Sequence, residues 1–145
     1  MSIEIGQILW LKLKFNNEGM VSDTEHPYLV IHKNDDSTIE VGQLDKVRGK
    51  RWKLAYESNK LITKDEPNEA VISEDSFIQM DNKFQLDEYD GLEKYLRTTE
   101  RLSESKLKDV IHAYELYQET HELDENKQVY HTKAEIEELN PEETS

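Results

Sequence analysis

Two stretches decide the fold: Gly6–Phe15, GQILWLKLKF, and Pro27–Lys33, PYLVIHK. In the first, Leu9, Leu11, Leu13 and Phe15 share one face, and Ile8, Trp10, Lys12 and Lys14 share the other. A period of two marks a β-strand with one face committed to a core. In the second, Tyr28-Leu29-Val30-Ile31 is apolar on both faces, as expected of a strand deep in a closed sheet. Between them runs NNEGMVSDTEH, a polar loop from Asn16 to His26 with a single glycine. It is longer than a tight hairpin turn needs, and ordered loops of this length in small domains tend to carry function.

Working outward from this pair, the chain continues in short strands. Asn34-Asp35-Asp36-Ser37 is a turn by composition. Thr38–Leu44 returns as a strand antiparallel to the second, with Gly42 as a candidate bulge. Trp52, Leu54 and Tyr56 alternate with Lys53, Ala55 and Glu57, which predicts a further strand, with a break at Ser58-Asn59-Lys60 before Leu61-Ile62. Ala70–Ile72, Phe77–Met80 and Phe84–Leu86 are short strand candidates. Five to six short strands with polar turns predict a mainly β fold, a small barrel or sandwich.

The pattern changes near Asp90. Leu92, Tyr95 and Leu96 have helical spacing, and Leu107, Val110, Ile111, Tyr114 and Tyr117 mark one face of a helix over 104–120. Ser103 is placed to cap it, and Leu102 to staple against Leu107. Thr132-Lys133-Ala134-Glu135 has the capping-box pattern ahead of a short helix that ends before Pro141. The expected organisation is a β unit with its closing helix over 1–120 and an acidic C-terminal extension over 121–145, with residues 142–145 disordered.

The chain has 145 residues and a formal charge of −14. Cysteine is absent, which excludes disulfides and thiolate metal sites. The N-terminal stretch MSIEIGQILW has neither a basic region nor a long apolar run, and no apolar run approaches membrane-spanning length. The expectation is a cytoplasmic protein with no membrane segment. The charge is uneven: residues 1–99 carry −6 and residues 100–145 carry −8, yet residues 46–64 hold seven basic side chains and one acid. A +6 segment inside an acidic protein is more informative than the total.

Two constellations are candidates for chemistry. The first is the basic segment, with Lys46, Arg48, Lys50 and Arg51 beside Trp52 and Tyr56. Cations for phosphates and rings for bases are the elements of single-stranded nucleic-acid recognition. The competing reading is a solvated hairpin whose basic face balances the acidic helix and docks residues 100–145. The second is His26, just before Pro27 at the start of a strand. A histidine there suits acid–base chemistry near neutral pH, and the competing reading is an ordinary loop histidine. The five histidines show no pairing at metal-ligand spacing, so no metal or other cofactor is expected.

Gly6–Leu13, the His26-Pro27 step with the apolar run after it, the Thr38–Leu44 strand, the late pair from Ser76 to Leu86 and the helix at 104–117 together resemble the PemK/MazF-like family. The resemblance covers residues 5–117. It implies a small SH3-like β-barrel with a C-terminal helix, a homodimer, an antitoxin-like partner protein, and metal-independent cleavage of single-stranded RNA. In that family an Arg precedes the Pro and a Ser or Thr ends the third strand. Here those places hold His26 and Asp45. A histidine keeps acid–base ability but lacks the permanent charge and forked donors of arginine. The resemblance therefore implies a divergent endoribonuclease with weakened or lost catalysis. His26 and Asp45 would be its acid–base pair, and Lys46, Arg48, Lys50 and Arg51 would hold the RNA backbone. The alternative is a non-catalytic barrel that binds a protein or nucleic acid through 46–56. A further expectation is that the acidic C-terminal segment covers the basic one.

Overall fold

The computed structural model of the protein describes residues 3–66 and 71–142. It is mainly β, with seven strands in one sheet and two helices. The strands are β1 (Ile8–Leu11), β2 (His26–Lys33), β3 (Thr38–Lys46), β4 (Asn59–Ile62), β5 (Ser76–Gln79), β6 (Lys83–Asp87) and β7 (Gln128–His131). The helices are α1 (Glu104–Thr120) and α2 (Lys133–Leu139). Every pairing is antiparallel except β6 with β7.

The sheet branches at β3. One edge of β3 pairs with β2. Along the other, Thr38–Val41 pairs with β6 and Leu44–Lys46 pairs with β5. One branch continues to β4, and the other continues to β7. The second branch returns to the chain after β1, because His131 at the end of β7 accepts a hydrogen bond from the Lys14 amide at 2.8 Å. Five strands, β1-β2-β3-β6-β7, thus form a circuit around one core of Leu9, Leu11, Leu13, Tyr28, Val30, Val41, Phe84, Val129 and Ile136.

The second face is equally apolar. Ile8, Leu29, Ile31, Leu44 and Ile78 form a separate core with Leu107, Val110 and Tyr114 of α1. The unbroken apolar run of β2 follows directly: Tyr28 and Val30 serve the first core, and Leu29 and Ile31 serve the second. Each core burial removes apolar area from water, the main favourable term in folding.

Several expectations need correction. Trp52, Leu54 and Tyr56 do not alternate along a strand. Arg51–Ala55 is a 3-10 turn with no buried side chain, closed by hydrogen bonds from the Lys53 amide to the Lys50 carbonyl and from the Tyr56 amide to the Lys53 carbonyl. Without a core to cover, alternation alone does not hold a strand. Asn59 and Lys60, expected as a break, belong to β4. The bulge is not at Gly42, which pairs in register with Leu29. It lies in β2, where the register shifts between Val30 and His32. Glycine is needed at position 42 for another reason: a Cβ there would stand 2.5 Å from Ile78 Cδ1. Val71 and Ile72 are not in a strand, and Ala70 lies outside the described residues.

Helix α1 occupies the expected range, and Leu107, Val110 and Tyr114 are its buried residues. Ser103 stands at the cap position, but its side chain makes no capping bond. The carboxylate of buried Asp65 takes a hydrogen bond from the Ser103 amide at 2.8 Å instead. At α2 the capping box of Thr132 and Glu135 forms in full. The segment after residue 120, read from sequence as an acidic extension, supplies β7 to the sheet and Ile136 to the first core. Of the tail expected to be disordered, residues 143–145 lie outside the described residues. Among the described residues, no helix is long and apolar enough to cross a membrane.

Candidate functional site

A pocket of about 330 Å³ opens where β2 begins and β3 ends. Its apolar lining includes Ile8, Trp10, Pro27 and Leu44, and its polar lining includes His26, Asp45, Lys46, Glu74 and Arg97. Sheet register explains the meeting. His26 pairs with Leu11 and Pro27 with Trp10 across β1 and β2, so the start of β2 stands beside the end of β1. Asp45 and Lys46 pair with Phe77 and Ser76, which brings the 71–76 segment to the same place. Three of the residues singled out from sequence therefore share one cavity, although 18 positions separate His26 from the Asp45-Lys46 pair.

His26 is partly buried. Its Nε2 lies 2.9 Å from the Ser22 hydroxyl, and its ring meets the edge of Phe15 with centroids 5.6 Å apart. The 16–26 loop thus holds the imidazole in place, and it is itself pinned, with the Phe15 amide donating to the Met20 carbonyl at 2.7 Å. Asp45 is more fully occupied: Oδ2 takes the Lys50 ammonium at 2.9 Å, and Oδ1 accepts from the Lys46 amide at 2.8 Å. Both oxygens of the expected base are therefore engaged.

The remaining basic residues divide. Arg48 and Arg51 line an adjoining cleft with Glu74 and Asp75. Glu74 receives Arg48 at 3.2 Å and Lys46 at 3.9 Å. Three cations of the positive segment, Lys46, Arg48 and Lys50, are thus paired with two local acids, Asp45 and Glu74. Partly exposed pairs of this kind contribute roughly 0–1 kcal/mol each to stability. Their larger effect is on the field that an incoming anion meets. Trp52 and Tyr56 line neither cavity. They stand on the exposed 3-10 turn, ring edge to ring face with centroids 6.0 Å apart, and the Lys53 ammonium lies 5.6 Å from the Trp52 ring.

Among the described residues, the acidic C-terminal segment meets the basic one at His121 and Glu57, 3.3 Å apart, and so engages that segment's acid rather than its cations. Its other bonds to the rest of the chain include those to Lys12, Lys14, Asn17, Asp81, Asp87 and Lys94. Among the described residues, none of the hydrogen bonds or ion pairs of 121–142 reaches 46–56. Helix α1 meets the basic segment through Lys60 with Asp109 at 2.8 Å and through Lys106, which donates to the Thr63 carbonyl at 3.2 Å.

Trp10, Glu74 and Arg97 line the pocket without having been singled out from sequence. Trp10 is read there only as a residue on the second face of its strand. Arg97 follows Leu96, which forms an isolated β-bridge to Leu9. That antiparallel bridge puts residues 97 and 10 on one face as diagonal neighbours, and the guanidinium of Arg97 lies 3.7 Å from the Trp10 ring centroid. The signal was a pairing across 87 residues, which no local pattern carries.

Neither the protein-family models nor the curated proteins contain a match to this chain.

Proposed function

We propose that the chain is a divergent PemK/MazF-like, SH3-like barrel whose pocket at the β2 start and β3 end receives single-stranded RNA, with weakened or lost catalysis. The observation that carries this reading is the convergence of His26, Asp45 and Lys46 on one cavity. The five-strand circuit with α1 packed outside it supports the barrel. A homodimer and an antitoxin-like partner belong to the same reading.

The chemistry this site would perform needs no metal. A base takes the proton of a ribose 2′-hydroxyl, and the oxygen attacks the adjacent phosphorus. The P–O5′ bond breaks, and an acid gives a proton to the departing 5′ oxygen, leaving a cyclic phosphate and a free hydroxyl. His26 is the group placed to exchange a proton in this sequence. Asp45, with both oxygens committed, acts by orienting Lys50 and the start of the 46–51 turn rather than by accepting a proton. That occupancy favours weak turnover over an efficient acid–base pair.

The test is binding and cleavage of a labelled single-stranded RNA in the presence of a chelator. The expected result is saturable binding that weakens with salt. Any cleavage should disappear in His26→Ala while binding persists. No binding at low salt would remove the proposal. A second reading, in which the 46–56 segment binds a partner without catalysis, is favoured by the exposed Trp52–Tyr56 pair. It predicts that Trp52→Ala abolishes binding and that charge reversal at Lys50 and Arg51 weakens it, while His26→Ala leaves it intact.

A further inference from the structure

We infer that Arg97, held over the Trp10 ring, is the phosphate-binding residue of the pocket, and that Glu25 is the counter-ion a phosphate displaces. The inference rests on the choice of pocket made above, and not on the ligand being RNA.

Three observations carry it. The first is orientation. The Leu9–Leu96 bridge fixes the backbone at both residues, and the guanidinium lies over the indole at 3.7 Å. An arginine stacked on an aromatic face keeps its planar fork pre-organised, so little freedom is lost when it binds an oxyanion. The second is capacity. A guanidinium has five N–H donors. Among the described residues, the single hydrogen bond Arg97 makes is from Nη2 to Glu25 Oε2, at 3.4 Å. Both side chains of that pair are more than half exposed, 60% and 52%, so the contact is weak and readily exchanged.

The third observation is the state of the other charges in the cavity. Asp45 is satisfied by Lys50, and Glu74 by Lys46 and Arg48. Of the two cations lining the pocket, Lys46 meets Glu74 at 3.9 Å as a single ammonium, whereas Arg97 offers a ring-supported fork with one of its five donors engaged, and it shares the cavity with His26 and Pro27. Phosphate oxygens match the arginine fork in a bidentate way that a lysine does not reproduce. The site would take a phosphate group with its substituent lying along Ile8, Pro27 and Leu44. A free nucleotide and an RNA backbone both carry that group.

The experiment uses the full chain with Trp52→Phe, which leaves Trp10 as the sole tryptophan. Adenosine, adenosine 3′-monophosphate and a ten-nucleotide single-stranded RNA are titrated while Trp10 emission is followed. Ligand binding is read independently from the phosphorus resonance of the monophosphate. The expected result is a saturable response to the monophosphate and none to adenosine. Arg97→Gln should weaken monophosphate binding by about tenfold or more, Arg97→Lys by less, and Glu25→Gln should tighten it. Thermal unfolding of each variant confirms that the fold is kept. Equal responses to adenosine and its monophosphate, or unchanged monophosphate affinity in Arg97→Gln, would overturn the inference. Arg97-dependent binding of the monophosphate without binding of RNA would sustain it and remove the RNA reading. RNA binding indifferent to Arg97→Gln would do the reverse.

Discussion

The side-chain amide of Asn140 serves both backbone groups of Lys12: its Oδ1 accepts from the Lys12 amide at 2.7 Å, and its Nδ2 donates to the Lys12 carbonyl at 2.9 Å. Asn140 follows α2 and thus replaces a missing strand neighbour just beyond β1. Its Nδ2 also donates to the Ile136 carbonyl at 2.9 Å, which ties the amide to the helix it terminates. Together with His131 and Lys14, this contact joins the two ends of the five-strand circuit through side chains rather than a backbone ladder.

Asn140→Ala should therefore destabilise the fold by about 1–3 kcal/mol, the cost of leaving backbone groups unpaired away from water. Asn140→Asp retains the acceptor for the Lys12 amide but not the donor for its carbonyl, so it should fall between. Urea unfolding measures the total. Hydrogen exchange at the Lys12 amide should quicken in Asn140→Ala before exchange in β3 does, because the circuit opens there first.

His131 makes the same closure sensitive to pH. It is fully buried, and its Nε2 accepts from the Lys14 amide, so the ring is neutral with its proton on Nδ1. Burial, with the Lys14 ammonium nearby, pushes its pKa down from 6.5 to about 4. A depressed histidine pKa means that the unfolded chain binds the proton first. The stability is fully present above pH 6.5 and declines as pH falls from 6.5 toward 4, by about 3 kcal/mol in total. His131→Asn, which does not titrate, should flatten that part of the profile in urea unfolding at pH 7 and pH 5. An unchanged slope would assign the acid sensitivity elsewhere.

Gly42→Ala tests the packing between β3 and the second core. The added Cβ would meet Ile78 Cδ1 at 2.5 Å and Ile31 Cδ1 at 3.0 Å. Both isoleucines are fully buried. The expected cost is about 1–3 kcal/mol of overpacking. Ile78→Val removes the nearer methyl group and should recover part of that loss in the double variant, a coupling that a thermodynamic cycle measures directly.

Glu74→Gln probes the charge balance at the site. It releases Lys46 and Arg48 from their shared acid. Under the RNA reading, affinity for single-stranded RNA should rise several-fold at low salt, and binding should become more salt-dependent. Reduced affinity would mean that Glu74 positions the cations rather than screening them.

Much of this architecture was legible because it is written in local periodicity. The two-faced run Tyr28–Ile31 gave β2 its place between two cores, and the spacing of Leu107, Val110 and Tyr114 gave α1 its range. Thr132 and Glu135 announced α2 through a capping box that needs only four residues. What escaped depends on contacts distant in sequence. The alternation at 52–56 imitates a strand, but no core lies beneath it, so the chain turns instead. Val129, followed by Tyr130 at the end of a polar stretch, gave no sign that β7 would run parallel to β6. At the site, His26 stood out by its neighbour Pro27 and Asp45 only through the family resemblance, whereas Arg97 depends on the Leu9–Leu96 bridge. Glu74 and Lys50 alter the character of the basic segment through pairings that a charge count cannot assign.

The central claim is that the cavity between the start of β2 and the end of β3 is where RNA is received. Amide chemical-shift mapping during titration with a short single-stranded RNA tests it most directly. The account predicts that Trp10, His26, Asp45, Lys46 and Arg97 shift first and saturate together. Shifts confined to Trp52–Tyr56, or a spectrum unmoved at high RNA concentration and low salt, would contradict it.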